Sequence, residues 1–298
     1  MAVTGSSGYL GSAVTEWLRT TAARVVPVSR PDADVRTKDC WSAIVANADV
    51  IFHLAGNTSV ADAARDPDGS WQSTVVPIGH LAEAAREAGR RPRVVFASTA
   101  TVYGLTGHLP VDEDAETSPI TIYDRHKLSA EQRLASASAD GVIDGVSLRL
   151  ANVYGPSPAT SSAGDRGVLN TVTRLAVAGD DVCLFGDGDY LRDYVYVGDV
   201  VRAFVMAGAQ PGAGSCNVAS GTGTTVRDAF HLAVERARRA TGKRSAIRHA
   251  AWPEAADPIE HRQFTANIER MAVTYGWRPA VTLTEGIDQL VAHLVNRS

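Results

Sequence analysis

Strand and helix alternate through the first half of this 298-residue chain, and the alternation predicts an α/β fold: a doubly wound parallel sheet with a smaller second lobe. Two further observations support it. A short apolar strand runs directly into three glycines spaced three apart, Gly5, Gly8 and Gly11. A stretch of small residues, Ser157 to Gly164, then interrupts the alternation and reads as a loop between lobes.

The first strand, Ala2 to Thr4, is short because Met1 lies only four residues before Gly5; either the sheet tolerates it or the natural start is upstream. Apolar runs predict further strands at Arg24 to Ser29, Val50 to Leu54, Val94 to Ser98 and Val146 to Leu150. Apolar residues three and four apart predict helices around Gly11 to Thr21, Gly69 to Ala88 and Ile122 to Ala137. Beyond the loop, the strand Val182 to Phe185 and the segment Arg192 to Ala207 are expected to return toward the sheet, which makes the second lobe discontinuous. The predicted division is residues 1–156 with about 182–208 as one domain, and 157–181 with 209–298 as the other.

Gly5-Ser6-Ser7-Gly8-Tyr9-Leu10-Gly11 has the context of a phosphate-binding turn, with a strand before it and a helix after it. Gly5 permits the tight turn, Gly8 lets backbone approach a diphosphate at the helix N-terminus, and Gly11 lets helix pack on strand. The first domain is therefore expected to be of the Rossmann, dinucleotide-binding type. Tyr123 and Lys127 stand four apart in a predicted helix and so share a face. An ammonium near a phenol favours the phenolate, which is expected to draw Tyr123 down toward working pH as a general acid or base.

Composition narrows the class further. Hydrophobic residues make up 45% of the chain, enough for a substantial core, and the formal charge of -4 gives no electrostatic case for nucleic acid. No apolar run approaches the ~20 residues of a membrane helix, and no signal peptide is read, so a cytoplasmic enzyme is expected. Cys40, Cys183 and Cys216 are scattered, and the eight histidines form no ligand pair; reduced thiols and no metal are expected.

Several ordered motifs make the chain resemble the extended short-chain dehydrogenase/reductase family, in particular its nucleotide-sugar epimerases, dehydratases and ketoreductases. Besides the glycine turn and Tyr123/Lys127, they are His53-Leu54-Ala55-Gly56, Phe96-Ala97-Ser98-Thr99-Ala100-Thr101-Val102-Tyr103-Gly104 and Leu148-Arg149-Leu150-Ala151-Asn152-Val153-Tyr154-Gly155-Pro156, followed by Phe185-Gly186-Asp187-Gly188, Arg192-Asp193-Tyr194 and Gly276-Trp277-Arg278-Pro279. The resemblance implies that Thr99 hydrogen-bonds the reacting sugar oxygen, that Tyr123 exchanges a proton with it, and that Lys127 also binds the nicotinamide ribose. It places Gly5, Ser7, Gly8, Tyr9, Leu10, Asp34, Val35, Leu54, Ala55 and Gly56 along NAD(P), with Asp34 at the adenine. A nucleotide-diphosphate sugar is the implied substrate, with Arg192 and Arg262 as diphosphate partners and Asn152 and Asn170 as further contacts. A homodimer through the helices at 69–88 and 122–137 is a family-level expectation. The asparagine usual in the helix after His53-Leu54-Ala55 is replaced by Thr74.

The dehydratases carry an Asp-Glu pair where this chain has Ala100 and Thr101, and the decarboxylases carry a glutamate at the second position, so neither reaction is expected. Two remain. Ser98 to Gly104 looks like the epimerase motif, whereas Asp140 to Val146 and Asp165 to Leu169 look like the 4-ketoreductases of antibiotic deoxysugar pathways, which act on TDP-4-keto-6-deoxyhexoses. The second strand ends Val28-Ser29-Arg30, and Arg30 in place of an acidic residue favours a 2'-phosphate, hence NADP(H), with NAD possible. NADPH-dependent 4-keto reduction is favoured over 4-epimerisation. A reading of another class is a nucleotide-sensing protein that kept the fold without the chemistry.

Overall fold

In the computed structural model, which describes residues 1–298 other than Pro31, Asp32, Asp165, Ala255 and Ser298, the first half of the chain folds as β1 (Ala2–Thr4), α1 (Tyr9–Arg19), β2 (Val26–Val28), α2 (Lys38–Asn47), β3 (Val50–His53), α3 (Val60–Arg65), α4 (Pro67–Thr74), α5 (Val76–Ala88), β4 (Arg93–Thr99), α6 (Ile122–Ala139) and β5 (Asp144–Leu150). The second half adds β6 (Asn152–Tyr154), α7 (Val168–Ala178), β7 (Val182–Phe185), β8 (Leu191–Tyr196), α8 (Val197–Ala209), β9 (Gly214–Val218), β10 (Gly223–Thr225), α9 (Val226–Thr241), β11 (Ile247–Ala250), α10 (Glu269–Tyr275) and α11 (Leu283–Val295).

The main sheet has the order β2-β1-β3-β4-β5-β9, and all its pairings are parallel. Both faces of such a sheet are covered, so its strands are apolar on both sides. In β4, Val95 and Ala97 join one core with Val14 and Leu18 of α1 and Phe204 of α8. Val94 and Phe96, one residue out of phase, join the opposite core with Trp41 and Ile44 of α2, Leu81 of α5 and Leu134 of α6. Strand order reverses between β1 and β3, and in open parallel sheets the crevice at such a reversal, beyond the carboxyl ends of the strands, is where ligands bind. The glycine turn and Leu54 to Gly56 leave the sheet there.

The second lobe carries a three-stranded sheet, β10-β8-β6, and a two-stranded one, β11-β7. Its core joins α7, α9 and α11 around Tyr154, Phe230 and Leu290. Two expected placements are corrected. Val182–Phe185, expected to return toward the main sheet, pairs with Ile247–Ala250 instead. Gly214–Val218, assigned to the second lobe, is the edge strand of the main sheet beside β5. The reason is common to both: an apolar run reports that a strand is buried, not which strand it lies against. The segment after Arg192 divides, with β8 in the lobe and α8 on the main sheet.

Two helical differences are local. The helix expected from Gly69 to Ala88 is two helices, because Pro77 stands in the first turn of α5 and lacks the N–H that would continue α4. The helix Lys38–Asn47 went unread, although Cys40, Trp41, Ile44 and Val45 follow the three-and-four spacing and are its buried residues.

Candidate active site

The glycine turn has the geometry its spacing predicts. Gly5 has φ +68°, and a Cβ built there would lie 2.8 Å from the Ala55 nitrogen; one on Gly11 would lie 2.0 Å from the Gly5 carbonyl oxygen. Strand, turn and helix approach more closely than any side chain permits. Helix α1 begins after Gly8, which offers no side-chain cap, and no acidic residue lies in its first turn. A helix N-terminus left in this state suits a diphosphate. Ser6 N–H donates to the Val28 carbonyl at 3.2 Å, joining the turn to the end of β2. Arg30, two residues on, is exposed. Asp34 is bound through both carboxylate oxygens by Arg36, whose hydrogen bonds hold it down at about 2. These residues fit a dinucleotide.

Across the reversal, Thr4 Oγ1 accepts the Ala55 N–H at 3.2 Å and meets His53 Nδ1 at 2.7 Å, fixing the end of β3. Burial pushes His53 down to about 3, so it is neutral. Thr74, where the family has asparagine, accepts from Asn57 N–H at 3.3 Å. A Cβ on Gly56 would stand 3.7 Å from Lys127 Nζ, so the end of β3 adjoins the catalytic candidates.

Those candidates converge from two elements. Thr99 ends β4, and Tyr123 and Lys127 lie in the first turns of α6. Helix α6 starts there because Thr121 and Asp124 form a capping box, each side chain bonding the other's backbone N–H. Lys127 is buried; its Nζ donates to the Ala97 carbonyl at 2.8 Å and lies 5.9 Å from the Tyr123 ring centre. Burial lowers Lys127 to about 8, with Glu131 opposing. The expected lowering of Tyr123 is corrected: burial, with the charge of Asp124 second, pushes it above its ordinary value, and the Thr99 hydroxyl beside it only partly offsets this. Lys127 gives one of its three N–H groups to the Ala97 carbonyl, and the charge of Asp124 acts on the phenol.

Behind these groups lies a buried pair. Arg149 on β5 binds Glu131 of α6 through Nε at 3.1 Å to each oxygen and Nη2 at 2.8 Å, and Ser98 donates to the same carboxylate. Sequence reading did not single out Glu131, one turn beyond Lys127 on the same face, although a carboxylate at that spacing is a visible signal. It compensates Arg149 and supports the charge of Lys127.

The substrate-side candidates divide. Arg262 Nη2 donates to Asn152 Oδ1 at 3.2 Å, which brings these two together. Arg192 is buried and donates to the carbonyls of Leu191 at 3.0 Å, Glu260 at 2.6 Å and Arg262. Burial and the neighbouring Arg262 lower it to about 10. Its guanidinium braces the turn that presents Arg262. Asn170 is equally occupied: it accepts from Gly155 N–H at 2.9 Å and donates to the carbonyls of Gly155 and Arg166, clamping the loop after β6 to Tyr9 of α1. Of the stretch Asp165 to Leu169, Asp165 lies outside the described residues.

A doubly wound sheet, a glycine turn at its reversal and a Thr/Tyr/Lys set at the ends of β4 and α6 define an NAD(P)-dependent enzyme of the extended short-chain dehydrogenase/reductase class. The model of the NAD dependent epimerase/dehydratase family matches residues 1–219, and the chain belongs to that family. It is similar to a UDP-glucose 4-epimerase of Mycolicibacterium smegmatis, 36% identical over 253 residues covering 84% of this chain and 77% of the relative. A dTDP-4-dehydrorhamnose reductase of the same organism is 30% identical over 220 residues, covering 70% of this chain and 61% of the relative. The crystal structure of UDP-glucose 4-epimerase with UDP-glucose from Thermotoga maritima superposes with a TM-score of 0.88 at 27% identity, covering 99% of this chain and 98% of that one.

Proposed function

We propose that this protein reduces the 4-keto group of a nucleotide-linked sugar, a TDP-4-keto-6-deoxyhexose, using NADPH. The observation that carries the reading is the end of β2: Arg30 is exposed there, two residues beyond the hydrogen bond that ties β2 to the glycine turn, while the nearby Asp34 is engaged by Arg36. A guanidinium in that place suits a 2'-phosphate. NADP(H) in turn suits a reaction that consumes a reduced cofactor. When bound, the nicotinamide supplies the hydride. Tyr123 gives a proton to the C4 oxygen as it gains charge, Thr99 holds that oxygen, and Lys127 holds the ribose. Arg262 and Asn152 meet the sugar nucleotide, with Arg192 as the brace behind them.

The second reading is 4-epimerisation with a retained NAD, favoured by the identity to the M. smegmatis UDP-glucose 4-epimerase over most of this chain. Nicotinamide absorbance after mixing the protein with TDP-4-keto-6-deoxyglucose and NADPH or NADH separates the two. Stoichiometric loss of NADPH is expected; no loss, with NAD found in the denatured protein and UDP-glucose turned over, would replace reduction by epimerisation. In the same assay, Arg30→Ala is expected to weaken NADPH about ten- to a hundredfold, the range of a lost charge-assisted hydrogen bond, and to leave NADH unchanged. A homodimer through α4, α5 and α6 belongs to the same reading. Light scattering is expected to give twice the chain mass, and a monomer would remove that part.

A further inference from the structure

The loop between β6 and α7 reaches both banks of the crevice at the strand reversal. Asn170 fastens its ends, accepting the Gly155 N–H and donating to the carbonyls of Gly155 and Arg166. Ser162 meets the glycine turn, where its N–H and its hydroxyl both donate to the Ser7 carbonyl at 2.9 Å. Arg166 meets the opposite bank, and its Nη1 donates to Thr58 Oγ1 at 3.2 Å. Ser7 follows β1 and Thr58 follows β3, the two strands between which the sheet order reverses.

We infer that this loop is a strap across the bound dinucleotide, and that Arg166 supplies the positive charge that meets the dinucleotide's diphosphate. The argument begins with charge. A diphosphate carries two negative charges, and the glycine turn offers it backbone N–H groups alone. Residues 1–18 contain no lysine or arginine, and neither do residues 50–64, through β3 and the loop after it. The guanidinium of Arg166 is exposed, and among the described residues it bonds a neutral hydroxyl and no carboxylate. It has five N–H donors in a planar fork that matches phosphate oxygens, so the bond to Thr58 leaves donors for an anion between the two banks.

The strap adds a second consequence, in the rate of exchange. A dinucleotide enclosed between the glycine turn and the loop leaves when the loop lifts, and lifting it breaks both bonds of Ser162 to Ser7. Arg166 therefore governs affinity, and Ser162 governs release. The inference rests on the dinucleotide that the family uses and does not require the reduction proposed above.

The test measures binding without turnover, on protein freed of any retained nucleotide. NADH and NADPH are titrated by their own fluorescence, and their release is followed by stopped flow. Arg166→Gln is expected to weaken both about ten- to a hundredfold, the range of one lost charge-assisted hydrogen bond, and Arg166→Lys to recover part of the loss. Equal loss with the two cofactors separates Arg166 from Arg30, whose removal is expected to spare NADH. Ser162→Pro has neither the N–H nor the hydroxyl and is expected to speed the release of both about tenfold. The diphosphate of the sugar nucleotide is the competing anion, so TDP is titrated by calorimetry, and its affinity is expected to be unchanged in Arg166→Gln. Melting temperatures are expected to match the wild type, since both residues are exposed and Asn170 bonds the Arg166 carbonyl rather than its side chain. Wild-type affinity for NADH and NADPH in Arg166→Gln, a loss confined to NADPH, or weakened TDP with intact dinucleotide binding would each overturn the diphosphate contact. Unchanged release from Ser162→Pro would overturn the strap. Failure to consume NADPH with a TDP-4-keto-6-deoxyhexose would remove the proposed reduction and leave these binding results standing.

Discussion

Tyr123→Phe is expected to lower kcat by about 10²- to 10⁴-fold, the usual contribution of a positioned general acid, and to leave the affinity for the sugar nucleotide essentially unchanged. The substitution removes one oxygen. The ring still lies beside Lys127 Nζ, and the capping box that starts α6 rests on Thr121 and Asp124, so helix and lysine keep their places. Loss of kcat at constant affinity identifies an interaction made in the transition state. Equilibrium binding by calorimetry beside single-turnover kinetics measures both quantities. Unchanged turnover would remove the proton-transfer role given to Tyr123.

Arg149→Met carries the largest expected effect on stability, about 3–5 kcal/mol, because it leaves the buried Glu131 carboxylate without its cation. The two side chains are each only 7% exposed and meet through three contacts of 2.8 to 3.1 Å. Ser98 alone cannot replace the guanidinium. The melting temperature is expected to fall by on the order of 10 °C. The double variant Glu131→Leu/Arg149→Met removes both charges and is expected to recover much of the loss, since apolar groups of similar size often replace a buried pair at little cost. Equal melting points for Arg149→Met and the wild type would show that the pair contributes nothing net. The single variant also leaves an unpaired carboxylate one turn from Lys127, so its loss of activity is expected to exceed that of the double variant at a temperature where both are folded.

Local patterns carried most of what could be read in advance. The glycines at 5, 8 and 11 showed the strand-turn-helix directly, because each is needed for close approach within a few residues. Tyr123 and Lys127 were legible for the same reason: a spacing of four on a helix is a fixed geometry. The Thr121/Asp124 box is equally local but was not read, and its connection to Thr101, 23 residues earlier, was hidden.

What the chain alone determined was therefore its alternation of elements, its glycine turn and the Tyr123/Lys127 spacing, each of which depends on neighbours within about two helical turns, whereas Thr99, on another element, was reached through the family motif. The tertiary structure decided the rest. It placed Gly214–Val218 in the main sheet and Val182–Phe185 outside it, because strand pairing joins residues distant in sequence. It gave Arg192 and Asn170 to backbone carbonyls, and it set the direction of the Tyr123 shift, because burial and the charge of Asp124 act through space.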